Sequence, residues 1–112
     1  MRVFAVLSVA HSCLHLKSLA ERNNKSLPDG VYKIYPNTNQ PIKTCCDMSR
    51  DGGGWTLLVT SHSNSWTSDN VRDRNADNPS LISDYSILKY ADDMKKVNVA
   101  TFEYRLEAQR PG

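Results

Sequence analysis

Between Pro28 and Ser61 the chain passes repeatedly from turn residues to short apolar runs, and this rhythm limits the fold more than any other feature. Pro28-Asp29-Gly30 is a turn signature, because Pro fixes φ and Gly accepts a positive φ. Val31 to Tyr35 (VYKIY) alternates with period two and predicts a strand. Pro36 to Pro41 (PNTNQP) turns the chain, and Ile42 to Met48 returns as a second strand, so a β-hairpin is expected. Asp51-Gly52-Gly53-Gly54 is a further tight turn, and Trp55 to Ser61 (WTLLVTS) is a third strand, apolar enough for the middle of a sheet. Upstream, Leu14, Leu16 and Leu19 make Cys13 to Ala20 the first turns of a helix. Downstream lies a long polar loop, Asn64 to Ser80. Tyr85, Leu88, Ala91 and Met94 then recur at steps of three and predict a short helix over Asp84 to Met94. Thr101 to Leu106 (TFEYRL) predicts a fourth strand. The expected class is α+β, an antiparallel hairpin and short sheet with one or two short helices, rather than a parallel α/β fold.

Composition removes several function classes. Fourteen Lys and Arg against twelve Asp and Glu leave a net charge of +2, with the two signs interspersed. A nucleic-acid binder carries a clustered basic face, so no nucleic-acid partner is expected. No run reaches the roughly 18 to 20 apolar residues of a membrane span. Met1-Arg2 followed by VFAVLSVA has the pattern of a short secretory leader, and residues 1–12 are expected to be one. Cleavage is open between Ser8-Val9-Ala10, Ala10-His11-Ser12 and Ser18-Leu19-Ala20, and a buried strand is the competing reading of the segment. Arg110-Pro111-Gly112 is a turn composition that normally leads into another element, so residues 13–112 are expected to be the N-terminal part of a longer domain.

The three cysteines, Cys13, Cys45 and Cys46, lack the CxxC spacing of zinc or redox sites. In an extracellular chain one bridge is expected. Cys45 and Cys46 point in opposite directions on a strand, so one of them can meet a given partner. Pairing of Cys13 with Cys46 closes a loop of about thirty residues, worth roughly 3 kcal/mol; pairing with Cys45 competes. The remaining thiol is then free, buried as a small hydrophobe, or joined to another chain or to a cysteine outside this sequence, and joining to another chain opens a route to oligomers through Cys45.

The order of motifs is specific. Asp29-Gly30-Val31-Tyr32-Lys33-Ile34-Tyr35-Pro36 is followed by Cys46-Asp47-Met48 and then by Asp51-Gly52-Gly53-Gly54-Trp55-Thr56. This succession, DGVYKIYP…CDM…DGGGWT, resembles the opening of the fibrinogen C-terminal (fibrinogen-related) domain. Trp55 to Trp66 (WTLLVTSHSNSW) is also similar to the intelectin branch and to fibrinogen-like secreted proteins of marine invertebrates. The similarity runs from about Cys13 to Gly112 and weakens after Trp66. It implies a bridge between Cys13 and Cys46, with Cys45 a departure from the family pattern. It implies a secreted, non-enzymatic module that recognises carbohydrate or acetylated ligands or enters an extracellular matrix, with glycans or matrix proteins as partners; the alternative is a truncated gene product with no independent binding activity. In the family the calcium site and ligand pocket lie in the C-terminal part of the domain, so no cofactor and no ligand-binding residue is assigned within this chain.

The remaining candidates are weaker. His11, Cys13 and His15 have metal-ligand chemistry at i, i+2 and i+4. His62 has Ser61, Ser63 and Asp69 close in sequence, but no nucleophile with its base and orienting carboxylate can be read from that. Asp73, Asn75, Asp77 and Asp84 occupy the first, third, fifth and twelfth places of an EF-hand-like calcium loop, without its glycine turn or its closing Glu. Asn24-Lys25-Ser26 is an N-glycosylation sequon, making Asn24 a candidate acceptor. The glycines 52–54 precede a strand rather than a helix, so they lack the helix terminus that binds phosphate.

Overall fold

The computed structural model describes residues 10–37, 40–94 and 105–107. Helix α1 spans Cys13–Arg22. Ser12 caps its start, its Oγ accepting from the backbone N–H of His15 at 3.2 Å. The far end closes through two backbone bonds: Asn24 N–H to the Glu21 carbonyl at 3.0 Å, and Lys25 N–H to the Ala20 carbonyl at 2.9 Å. That pair of bonds requires a left-handed residue just past the helix, and Asn24 supplies it at φ 57°.

The hairpin forms as the alternation predicts. Strand β1 (Gly30–Ile34) pairs antiparallel with β2 (Ile42–Asp47), Gly30 opposite Cys46 and Ile34 opposite Ile42. Asp29 ties the turn before β1 to the end of β2: its carboxylate accepts from Met48 N–H at 2.5 Å and from Ser49 Oγ at 2.9 Å. One hairpin face turns inward with Ile34, Thr44 and Cys46 buried, while Val31, Lys33, Lys43 and Cys45 lie on the other.

The third strand is shorter than expected. Strand β3 (Trp55–Thr56) pairs with β2, but the chain then leaves that sheet, and β4 (Val59–Thr60) pairs instead with β5 (Tyr85–Ser86). The result is a three-stranded sheet in the order β1-β2-β3 and a separate two-stranded one. Continuous apolarity concealed the break, since it marks burial and not which sheet a residue joins. The helix expected over Asp84 to Met94 is also corrected. Tyr85, Ser86 and Ile87 are all fully buried, which suits a strand rather than one face of a helix. Two short 3₁₀ turns follow, Leu88–Tyr90 and Asp92–Met94. Steps of three are the natural period of a 3₁₀ helix, where residues i and i+3 eclipse.

The architecture is α+β. Cys13, Cys46 and Met48 form one buried cluster between α1 and β2, with Leu16, Leu27 and Tyr32 against it. Tyr85 and Ile87 are buried beside the second sheet, and the Tyr85 hydroxyl donates to the Lys43 carbonyl of β2 at 2.9 Å, linking the two sheets. Burial pushes that phenol up to about 12, against a lowering hydrogen bond with Thr44. Residues 1–9 of the expected leader and residues 101–104 of the expected fourth strand lie outside the described residues. Ala10 is buried, and its carbonyl accepts from Tyr35 N–H at 2.7 Å.

Candidate functional site

The helix start, the central strand and the glycine turn meet at one place. Cys13 and Cys46 are joined by a disulfide with Cα atoms 5.6 Å apart, and both are buried. The bridge fastens the first turn of α1 to β2, and Cys13 N–H also donates to Thr56 Oγ1 on β3 at 3.0 Å. Cys45, on the outward face opposite Val31, is free and half-buried, and burial pushes its thiol up. The glycine turn wraps closely around this junction. A Cβ on Gly53 would stand 2.2 Å from the Met48 carbonyl oxygen, and one on Gly54 would stand 2.9 Å from Leu14 Cα. Both glycines have positive φ, 77° and 86°, so the approach and the backbone angle select the same residue.

Arg105 reaches back to this turn. Its guanidinium contacts Asp47 at 2.7 Å, Asp51 at 3.3 Å and Glu107 at 3.1 Å, and lies over the Trp55 ring at 5.0 Å. Arg50 completes the network with contacts to Asp47 at 3.1 Å and Glu107 at 3.3 Å. Burial opposes ionisation of Asp47. Hydrogen bonds from Arg50 N–H, the Arg105 guanidinium and Ser49 N–H outweigh it and hold the carboxyl at about 2. Sequence reasoning missed Arg105, because nothing local relates it to a turn more than fifty residues earlier. The pairing of Asp47 and Trp55 across β2 and β3 follows from the hairpin register.

A second cluster organises the long loop. The Asp84 carboxylate accepts from Ser63 Oγ, from His62 N–H at 2.6 Å and from Ser63 N–H at 3.0 Å, and Arg74 lies 3.2 Å away. The Ser63 hydroxyl bond, then the His62 amide, hold its carboxyl below the usual carboxylate pKa, with burial opposing and Arg74 assisting. Arg74 also covers the Trp66 ring at 4.7 Å and donates to the Ser65 carbonyl at 2.8 Å. The calcium-loop candidates therefore diverge. Asp73 pairs with Lys89 at 2.8 Å, Asn75 donates to the Asp84 carbonyl at 2.8 Å, Asp77 is exposed, and Asp84 is engaged as above. Among the described residues, no three His, Cys, Asp or Glu side chains gather as a metal site.

The other candidates have structural partners. His11 and His15 stack with ring centroids 5.2 Å apart, and His11 Nδ1 lies 2.8 Å from the Tyr35 carbonyl, while Cys13 between them is bridged. His62 meets Asp84 through its backbone, and Ser63 donates its hydroxyl proton to that carboxylate. Asn24 is exposed at the end of α1. Among the described residues no helix is long and apolar enough to cross a membrane.

These features define a cystine-braced α+β scaffold whose polar clusters pin turns and loops. No family model matches the chain, and no solved structure matches it. Short stretches are similar to curated proteins: 60% identity over 30 residues with mouse (Mus musculus) angiopoietin-4, 42% over 38 residues with chicken (Gallus gallus) tenascin, and 45% over 31 residues with human angiopoietin-2. The matches take in 26%, 32% and 27% of this chain and 6%, 2% and 6% of those proteins. The chain thus spans a small fraction of the relatives it matches. Angiopoietins and tenascin carry fibrinogen-related domains, so the matches support a fibrinogen-like domain at the level of the family.

Proposed function

We propose that this chain is the scaffold portion of an extracellular, non-enzymatic recognition or adhesion module of the fibrinogen-related kind. The observation that carries the reading is the buried Cys13–Cys46 bridge between α1 and the central strand, inside the motif block that resembles that family. Disulfides persist in oxidising compartments and are rare where thiols are kept reduced. The short similarities to angiopoietins and tenascin add to it. Arg105, Asp47 and Trp55 are spent on holding the glycine turn, and Asp84 and Arg74 on holding the long loop, so neither cluster supplies a nucleophile with a base. Contact with a glycan, an acetylated ligand or a matrix protein is then a task of the whole module, which this portion supports.

The test is expression of the full chain in a eukaryotic secretory host. Recovery from the medium with Cys13 and Cys46 protected from alkylation and Cys45 modified supports the reading. Retention in the cytosol with all three thiols alkylated overturns it. On the secreted protein, tight binding to an immobilised acetylated sugar overturns the scaffold reading, and recovery in the insoluble matrix fraction marks the matrix form.

A further inference from the structure

We propose that Asn24 carries an N-linked glycan, an inference that rests on the extracellular reading above. Asn24-Lys25-Ser26 is the one Asn-x-Ser/Thr sequon in the sequence whose middle residue is not proline, as it is in Asn78-Pro79-Ser80. The structure adds where it lies. Asn24 stands immediately past α1 in the left-handed conformation, with its own N–H and that of Lys25 both committed to closing the helix. All three sequon residues are exposed. Among the described residues, neither the Asn24 amide side chain nor the Ser26 hydroxyl makes a hydrogen bond.

The helix end accounts for a residue that tolerates positive φ at position 24, which Gly does better and Asn acceptably. It does not account for a hydroxyl two residues on. The transfer needs a lipid-diphosphate-linked oligosaccharide as donor. The Asn24 Nδ2 attacks C1 of its first sugar, the Nδ2–C1 bond forms, and the bond from C1 to the diphosphate oxygen breaks. Nδ2 loses one proton and the lipid diphosphate leaves, with no change of oxidation state. Asn24 is exposed, so the attached sugar projects from the end of α1 without displacing a buried side chain.

Translation of the full chain with microsomes tests this. The expected result is a protease-protected product with one glycosidase-sensitive mobility shift, and aspartate at position 24 after enzymatic release. The shift is lost in Ser26→Ala, which leaves the helix end untouched, and is retained in Ser26→Thr. Asn24→Gly loses the shift while keeping the left-handed closure, which separates loss of the acceptor from loss of the fold. A protected chain without a shift overturns the glycan and leaves the extracellular reading standing. A chain that stays protease-accessible overturns both.

Discussion

Gly52, Gly53 and Gly54 share a positive φ, yet their surroundings differ, and that difference can be measured. Alanine at position 52 meets nothing within 4 Å. Its cost is the left-handed backbone alone, about 1 to 2 kcal/mol, offset by roughly 0.4 to 1 kcal/mol from a stiffer unfolded chain. A net loss of about 1 kcal/mol is expected for Gly52→Ala. Alanine at position 53 pays the same backbone cost and also drives its Cβ to 2.2 Å from the Met48 carbonyl oxygen, where only backbone movement can give relief. Crowding of that kind adds about 1 to 3 kcal/mol, so Gly53→Ala should lose about 2 to 4 kcal/mol. Gly54→Ala meets Leu14 Cα at 2.9 Å and forces the first turn of α1 away from the turn, so its loss should also exceed that of Gly52→Ala. Urea unfolding followed by tryptophan fluorescence, under oxidising conditions, measures the three. With a slope of about 2 kcal/mol per molar, the midpoint of Gly53→Ala should lie about 1 M below that of Gly52→Ala. Coincident midpoints would show that the turn does not press on Met48, and the close packing argued here would be refuted.

Cys13→Ser with Cys46→Ser should lower stability by about 3 to 4 kcal/mol, given a separation of 33 residues, whereas Cys45→Ser should stay within about 1 kcal/mol; calorimetry of both decides it, and a large Cys45→Ser effect would reverse the pairing. The lowered carboxyl of Asp47 contributes stability that is fully present above the unfolded value of 3.8 and is lost as the pH falls from there to about 2. Asp47→Asn should flatten that acid limb in a stability–pH series. Arg105→Gln should change the emission of Trp55 while leaving the Cys13–Cys46 bridge intact on peptide mapping. Asp84→Asn should speed amide exchange at His62 and Ser63, the two N–H groups its carboxylate holds, and leave Val31 and Tyr32 in β1 unaffected.

The hairpin was legible because its signals are local. Period-two alternation over Val31 to Tyr35, bounded by turn residues, leaves little choice of element, but it did not fix the face, since Val31 lies outward at 55% exposure while Ile34 is buried. The choice between Cys45 and Cys46 as the partner of Cys13 needed the burial of β2, which the residues alone left open. Strand β3 and strand β4 merged in the sequence, because exchange of one sheet for another is decided by Tyr85 and Ser86, some twenty-five residues away. Asp84 shows the same limit. Its spacing suggested a cation loop, but the structure gives its carboxylate Ser63, His62 and the Arg74 guanidinium. Spacing places oxygen atoms along a chain; it does not say which donors arrive from elsewhere.

Arg105 meets Asp47 across 58 residues of chain. During synthesis the cystine and the hairpin can therefore be complete while the ribosome has yet to make the residue that neutralises the Asp47 and Asp51 carboxylates. Until then those two charges have no Arg105 between them, and the Trp55 ring lacks its guanidinium cover. A nascent chain whose bridge has closed by then has its covalent tie in place, with Arg50 but not yet Arg105 on the Asp47 carboxylate.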